Sequence, residues 1–146
     1  MQMTPDKKKN KLYIVVPCYN EEQVLGETSK RLKIKCENLI QKGQISKDSK
    51  IVFVDDGSKD RTWKMISELH ETDSLFSGVK LSRNRGHQNA LLAGLTMASE
   101  HADMAISMDA DLQDDINAVD QMIEKYYEGC DIVYGVRSAR ETDTFF

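Results

Sequence analysis

Residues 12–16 read Leu-Tyr-Ile-Val-Val, a run of apolar, mostly β-branched or aromatic side chains cut off by Pro17. A strand with one wet face would alternate polar and apolar residues. One that is apolar at every position needs cover on both faces, which marks a central strand of a parallel sheet. Parallel neighbours cannot be joined by a tight turn and need crossovers, and helical spacing follows each strand signal here. Asn20 suits a helix N-cap, with Glu21 and Glu22 in the first turn and Val24, Leu25, Leu32, Leu39 and Ile40 forming an apolar face to about Gln41. After a polar connection over residues 42–50, residues 51–54 repeat the strand signal. Asp55-Asp56-Gly57-Ser58 follows, then a helix over residues 59–72 with Trp63, Ile66 and Leu69 on one face.

The pattern continues with a short strand over residues 78–81, a turn over residues 82–86, and an Ala- and Leu-rich helix over residues 88–100. A fourth strand covers residues 104–108. Ile116, Val119, Met122, Ile123 and Tyr126 share the face of a helix that Gly129 ends, and residues 132–134 form a fifth strand. Strands alternating with helices imply a doubly wound, mostly parallel α/β sheet flanked by helices. Residues 1–11, carrying Lys7, Lys8, Lys9 and Lys11, form a basic tail; residues 12–146 form one domain.

In such sheets ligands bind beyond the carboxyl ends of the strands. Residues 17–21, 55–58, 109–111 and 135–137 all fall there, so one crevice collects the unusual residues of the chain. Asp109 and Asp111 can approach one cation from the same side, because residues i and i+2 of extended backbone point the same way. Two hard oxygens suit Mg²⁺ or Mn²⁺, which keep open positions for water and phosphate. An Asp-x-Asp alone serves equally well as solvated loop carboxylates or helix caps. Asp56 is placed to accept a hydrogen bond from a base or ribose, and Tyr19 to flank a base. The competing reading is that Asp55, Asp56 and Ser58 cap the next helix and that Tyr19 is ordinary packing. His87, with no second histidine or cysteine at ligand spacing, reads as a capping residue, and Cys18 has no base beside it and is not a nucleophile.

Neither dinucleotide-binding nor P-loop glycine patterns follow any strand, so phosphates must be held otherwise, by a metal and by Arg137. A net charge of −4 argues against binding nucleic acid over a broad face. Three widely spaced cysteines suggest neither a disulfide framework nor a zinc site, and a reducing compartment fits them. No apolar run is long enough for a membrane span or a signal-peptide core.

Five stretches occur together: Val16-Pro17-Cys18-Tyr19-Asn20-Glu21-Glu22, Val54-Asp55-Asp56-Gly57-Ser58-Lys59-Asp60, Leu81-Ser82-Arg83-Asn84-Arg85-Gly86-His87-Gln88, Met108-Asp109-Ala110-Asp111-Leu112-Gln113-Asp114 and Tyr134-Gly135-Val136-Arg137. In order and spacing the chain resembles the amino-terminal part of a family 2 glycosyltransferase of the GT-A fold, nearest to the bacterial polyprenyl-phosphate glycosyltransferases related to dolichyl-phosphate mannose synthase. The resemblance implies that Pro17, Tyr19, Glu21, Val54, Asp56, Met108 and Asp109 contact the nucleotide. It implies that Asp109 and Asp111 hold Mg²⁺ or Mn²⁺ on the diphosphate, and that Asp111 and Arg137 serve catalysis, Arg137 by binding phosphate. Arg140, Phe145 and Phe146 resemble the start of the segment that reaches the lipid phosphate.

The implied reaction is inverting transfer of a sugar from a nucleotide diphosphate sugar, UDP-linked as first choice, to a polyprenyl phosphate at the cytoplasmic face of the cell membrane. The chain departs from the family where prolines often follow Asp114, having Asp115-Ile116 instead. It also stops at Phe146, where the family continues into acceptor-side and membrane-associated elements, so the resemblance implies a fragment that binds donor better than it turns over; self-association is left open. A polysaccharide-synthesising relative with a sugar acceptor and an inactive nucleotide-binding module are the alternatives. A metal-dependent nucleotidyltransferase would carry a glycine-rich basic loop after its first strand, and residues 17–21 are neither.

Overall fold

In the computed structural model, Lys7, residues 10–112 and residues 116–130 are described. The expected fifth strand over residues 132–134, and Arg137, Arg140, Phe145 and Phe146, lie outside the described residues. The elements follow the predicted alternation: β1 (Leu12–Cys18), α1 (Leu25–Gln41), β2 (Lys50–Asp55), α2 (Thr62–Thr72), β3 (Phe76–Lys80), α3 (His87–His101), β4 (Met104–Ser107) and α4 (Ala118–Tyr127). The four strands form a sheet in the order β3-β2-β1-β4, and every pairing is parallel. β1 lies between β2 and β4 and is buried at every position. That is the environment its unbroken apolar run demands.

Register assigns the two faces. Tyr13 and Val15 of β1 join Val52 and Val54 of β2 in one core cluster with Ala90 and Ala98 of α3. Phe53 pairs with Gly78, and Gly78 lies under Ile66 and Trp63 of α2, so α2 covers the opposite face. Helices on both faces make the sheet doubly wound, as predicted. Gly94 shows how closely α3 approaches: a Cβ there would stand 2.3 Å from Val15 Cγ1 and 2.8 Å from Val54 Cγ2.

Two helix starts differ from the sequence reading. Asn20 is not an N-cap: α1 begins at Leu25 with Val24 in the cap position and no side-chain cap. Asn20 instead takes a left-handed conformation, φ 52°, in the turn before the helix. Asparagine suits either role, and contacts to the neighbouring loop decide between them. Likewise Asp55, Asp56 and Ser58 do not cap α2, which begins at Thr62; Asp60 Oδ1 receives the Thr62 amide at 2.9 Å.

The chain divides at residue 113 into two compact units. The second carries α4, whose buried residues are Val119 and Ile123 and which Gly129 follows as expected. No helix among the described residues is long and apolar enough to cross a membrane.

Candidate active site

The strand order turns on β1: β2 and β3 extend the sheet to one side and β4 to the other. Such a switch leaves a crevice beyond the carboxyl ends of the two strands flanking it. A cleft of about 320 Å³ lies there, lined by residues from the end of β1 (Pro17, Cys18, Tyr19, Glu21), from the segment after β4 (Asp109, Ala110, Asp111), and from Asp56, Asn84, Gly86, His87 and Ala90. Pro17, Tyr19, Glu21, Asp56, Asp109 and Asp111 are thus brought together as the sequence suggested. Val54 and Met108 are not among the lining residues. Val54 is fully buried in the α3-facing core, and Met108 is 5% exposed.

Backbone donors zip the β1 loop to the β2 loop. The Asp56 amide donates to the Cys18 carbonyl at 2.8 Å, Asn20 N–H to Ser58 Oγ at 2.8 Å, Glu21 N–H to Thr62 Oγ1 at 2.8 Å and Glu22 N–H to Asp60 Oδ2 at 3.2 Å. In return, Asn20 Oδ1 accepts the Lys59 amide at 2.9 Å. A loop with this many cross-links is preorganised, and it holds Tyr19, 43% exposed, at the cleft.

Asp56 is only 4% exposed, and its carboxylate accepts the Arg85 amide at 2.6 Å and the Gly86 amide at 3.1 Å. It pins the start of α3 beside the cleft, a role the sequence reading did not foresee. A carboxylate has about four acceptor positions, so these two bonds leave capacity on the cleft side. Its neighbour Asp55 is fully buried, with Oδ1 receiving the Ser58 amide at 3.4 Å and Oδ2 without a hydrogen-bond partner among the described residues. Arg83 and Arg85 are exposed and do not line the cleft; Asn84, Gly86 and His87 do.

The cleft is electronegative. Burial raises the Glu21 carboxyl above its ordinary value, and the charges of Asp111, Asp60 and Asp109 raise it further. Burial, then Glu21 and Asp55, push the Cys18 thiol far up, against its ionisation. The residues after β4 do not remain extended. The Leu112 amide donates to the Asp109 carbonyl at 3.0 Å, closing a turn that ends with Leu112 at φ 51°. Asp109, Ala110 and Asp111 line the cleft from this turn.

Among the described residues no three histidine, cysteine or carboxylate side chains already converge as a metal cage. The carboxylates of Asp109 and Asp111 are hard oxygen ligands of the kind Mg²⁺ and Mn²⁺ take, so the donor set fits such an ion.

The fold, a parallel doubly wound sheet flanked by helices, is shared with GT-A glycosyltransferases of solved structure. The chain belongs to glycosyl transferase family 2, whose sequence profile matches residues 13–146. It is 56% identical over 135 residues to the uncharacterized glycosyltransferase YkoT of Bacillus subtilis (strain 168), covering 92% of this chain and 40% of that protein. It is 37% identical over 145 residues to the undecaprenyl-phosphate 4-deoxy-4-formamido-L-arabinose transferase of Enterobacter sp. (strain 638), covering 99% of this chain and 42% of that one. The chain therefore spans about two fifths of the length of these relatives. Among solved structures, the mannosyltransferase PcManGT from Pyrobaculum calidifontis in complex with GDP-Man and Mn²⁺ aligns with a TM-score of 0.54 at 25% identity, over 70% of this chain and 28% of that one.

Proposed function

We propose that this chain is the donor-binding part of an enzyme that moves a sugar, with inversion, from a nucleotide diphosphate sugar to a polyprenyl phosphate at the cytoplasmic face of the membrane. The observation that carries this reading is that Glu21, Asp109, Asp111 and Tyr19 line one cleft at the sheet's switch point. Burial raises the Glu21 carboxyl first, and the charges of Asp111, Asp60 and Asp109 add to it; that charge part is what a divalent cation would relieve. Asp109 and Asp111 would hold Mg²⁺ or Mn²⁺, with phosphate oxygens and water completing the set. Such an ion would supply charge neutralisation for a departing nucleoside diphosphate.

The chain's own residues do the rest. Tyr19, on its cross-linked loop, flanks the base; Pro17 and Asp56 border the nucleoside; Arg137 binds phosphate. An acceptor phosphate arrives as an anion, so its oxygen can attack the anomeric carbon without prior deprotonation by a side chain. That economy suits a cleft whose carboxylates are committed elsewhere. The undecaprenyl-phosphate named for the Enterobacter relative supports the lipid acceptor, and the GDP-Man and Mn²⁺ in the Pyrobaculum structure support a metal-bound nucleotide sugar.

Titration calorimetry of the chain with UDP and with GDP, each with Mn²⁺ and with EDTA, repeated on Asp109→Ala, tests the donor site. We expect Mn²⁺-dependent binding of one nucleotide, UDP as the first choice, and its loss in the variant. Equal binding with EDTA, or in Asp109→Ala, would overturn the metal role.

A further inference from the structure

The buried stripe of α1 contains Leu25, Leu32, Cys36 and Leu39, but between them stand two hydroxyl residues, Thr28 and Ser29. A threonine inside a helix ordinarily returns its hydroxyl to the carbonyl one turn back. Two others in this chain do so: Thr96 donates to the Leu92 carbonyl at 2.8 Å, and Thr72 to the Glu68 carbonyl at 3.1 Å. Thr28 does not, although its own amide donates to the Val24 carbonyl at 3.0 Å in the usual way. Its hydroxyl instead crosses to the backbone carbonyl of Ala110, 82 residues away.

That carbonyl lies between the two carboxylates of the Asp-x-Asp. The Ala110 C=O and the Asp111 N–H share one rigid peptide plane, so a hydrogen bond to the carbonyl fixes the plane from which the Asp111 side chain departs. The Leu112 amide closes the turn onto the Asp109 carbonyl, and the turn ends on a non-glycine residue at positive φ, a conformation that persists only when its surroundings impose it. Thr28 is 2% exposed and Ala110 4%, so without the hydroxyl the carbonyl would be left in a site largely closed to water.

We propose that Thr28 is a positioning residue for the Asp109–Asp111 pair, clamping the Ala110 carbonyl so that both carboxylates face one cation. The proposal rests on the metal and diphosphate reading of that pair.

Two readouts on the 146-residue chain separate the clamp from that reading: hydrogen exchange of the Leu112 amide without metal, and Mn²⁺ affinity by electron paramagnetic resonance. T28V removes the hydroxyl at nearly constant shape, T28S keeps it, and S29A removes the neighbouring hydroxyl, which only returns to the Gly26 carbonyl. If T28V does not fold, T28A removes the same group with less bulk. We expect T28V to speed Leu112 exchange and to weaken Mn²⁺ binding about tenfold, the scale of losing a group that orients a metal ligand, with T28S and S29A within about twofold of wild type. Unchanged Leu112 exchange in T28V, or S29A matching T28V in both readouts, overturns the clamp whatever the metal does. Faster Leu112 exchange in T28V, with no Mn²⁺ bound even by wild type, upholds the clamp and overturns the cation reading instead.

Discussion

The Asp56 carboxylate and the Gly86 amide, 30 residues apart in sequence, are joined by a hydrogen bond of 3.1 Å, and the adjacent Arg85 amide reaches the same carboxylate at 2.6 Å. One side chain from the loop after β2 thereby fixes the entrance to α3, from which Gly86, His87 and Ala90 line the cleft. Removing it takes the acceptor from the Arg85 amide, leaves the Gly86 amide with Asn84 Oδ1 at 3.2 Å, and loosens the turn before the helix. Asp56→Ala is expected to cost about 2–3 kcal/mol in urea denaturation, the range for a buried, charge-assisted pair of bonds. Asp56→Asn, which keeps one acceptor oxygen, is expected to cost less. Equal losses would mean that packing, not hydrogen bonding, holds the turn.

Glu21 makes stability depend on pH in a definite sense. Its carboxyl is raised above the usual 4.5 by burial and by Asp111, Asp60 and Asp109, so the folded chain holds the proton more tightly than the unfolded chain does. The stability this contributes is present below the unfolded value and is lost as pH rises through the folded one. Glu21→Gln cannot ionise and escapes that loss. In EDTA the variant should match wild type near pH 4 and gain on it toward pH 7, by less than about 1 kcal/mol because water screens a partly exposed group. Saturating Mn²⁺ should shrink the gain. A variant that loses stability relative to wild type as pH rises would show that repulsion in the cleft is not what Glu21 contributes.

Gly57 and Gly86 both have positive φ, 72° and 93°, yet their surroundings differ. A Cβ at Gly57 would stand 2.4 Å from the Asn84 amide nitrogen and 2.6 Å from the Arg83 carbonyl carbon, whereas nothing lies within 4 Å of one at Gly86. Gly86, at φ 93° and ψ 154°, lies in a region almost reserved for glycine, so Gly86→Ala pays conformational strain alone, about 1–3 kcal/mol. Gly57→Ala adds a backbone collision and should cost about 3 kcal/mol or more, with displacement of the residue 82–86 turn. Thermal denaturation of the two variants side by side checks the order.

What was legible in the sequence follows from what is local. The unbroken apolar runs of β1 and β2 declare strands buried on both faces, and the parallel fold and the position of the cleft follow from them. Side-chain direction at the strand ends is set by register, so the sequence could bring Val54 near the cleft without revealing that its side chain turns into the α3-facing core. Thr28 was missed because its partner is 82 residues away, although a polar residue amid an apolar helical stripe was the available signal. Asn20 was misassigned because the same short amide side chain serves an N-cap and a left-handed turn equally well.

That ambiguity can be tested at Asn20, whose backbone conformation and side-chain bond separate by substitution. At φ 52° glycine fits without strain but cannot accept the Lys59 amide, while alanine loses the bond and also suffers the left-handed conformation. Asn20→Gly should therefore cost about 1 kcal/mol for the lost bond, and Asn20→Ala about 1–2 kcal/mol more. Had Asn20 been a helix cap, glycine would cost only a few tenths and alanine about 1 kcal/mol, a smaller gap at a smaller total. Since this loop carries Tyr19, nucleotide affinity should fall in the same order, with Asn20→Ala weaker than Asn20→Gly. A reversed order in the calorimetric titration would detach the loop's shape from the way the cleft receives the base.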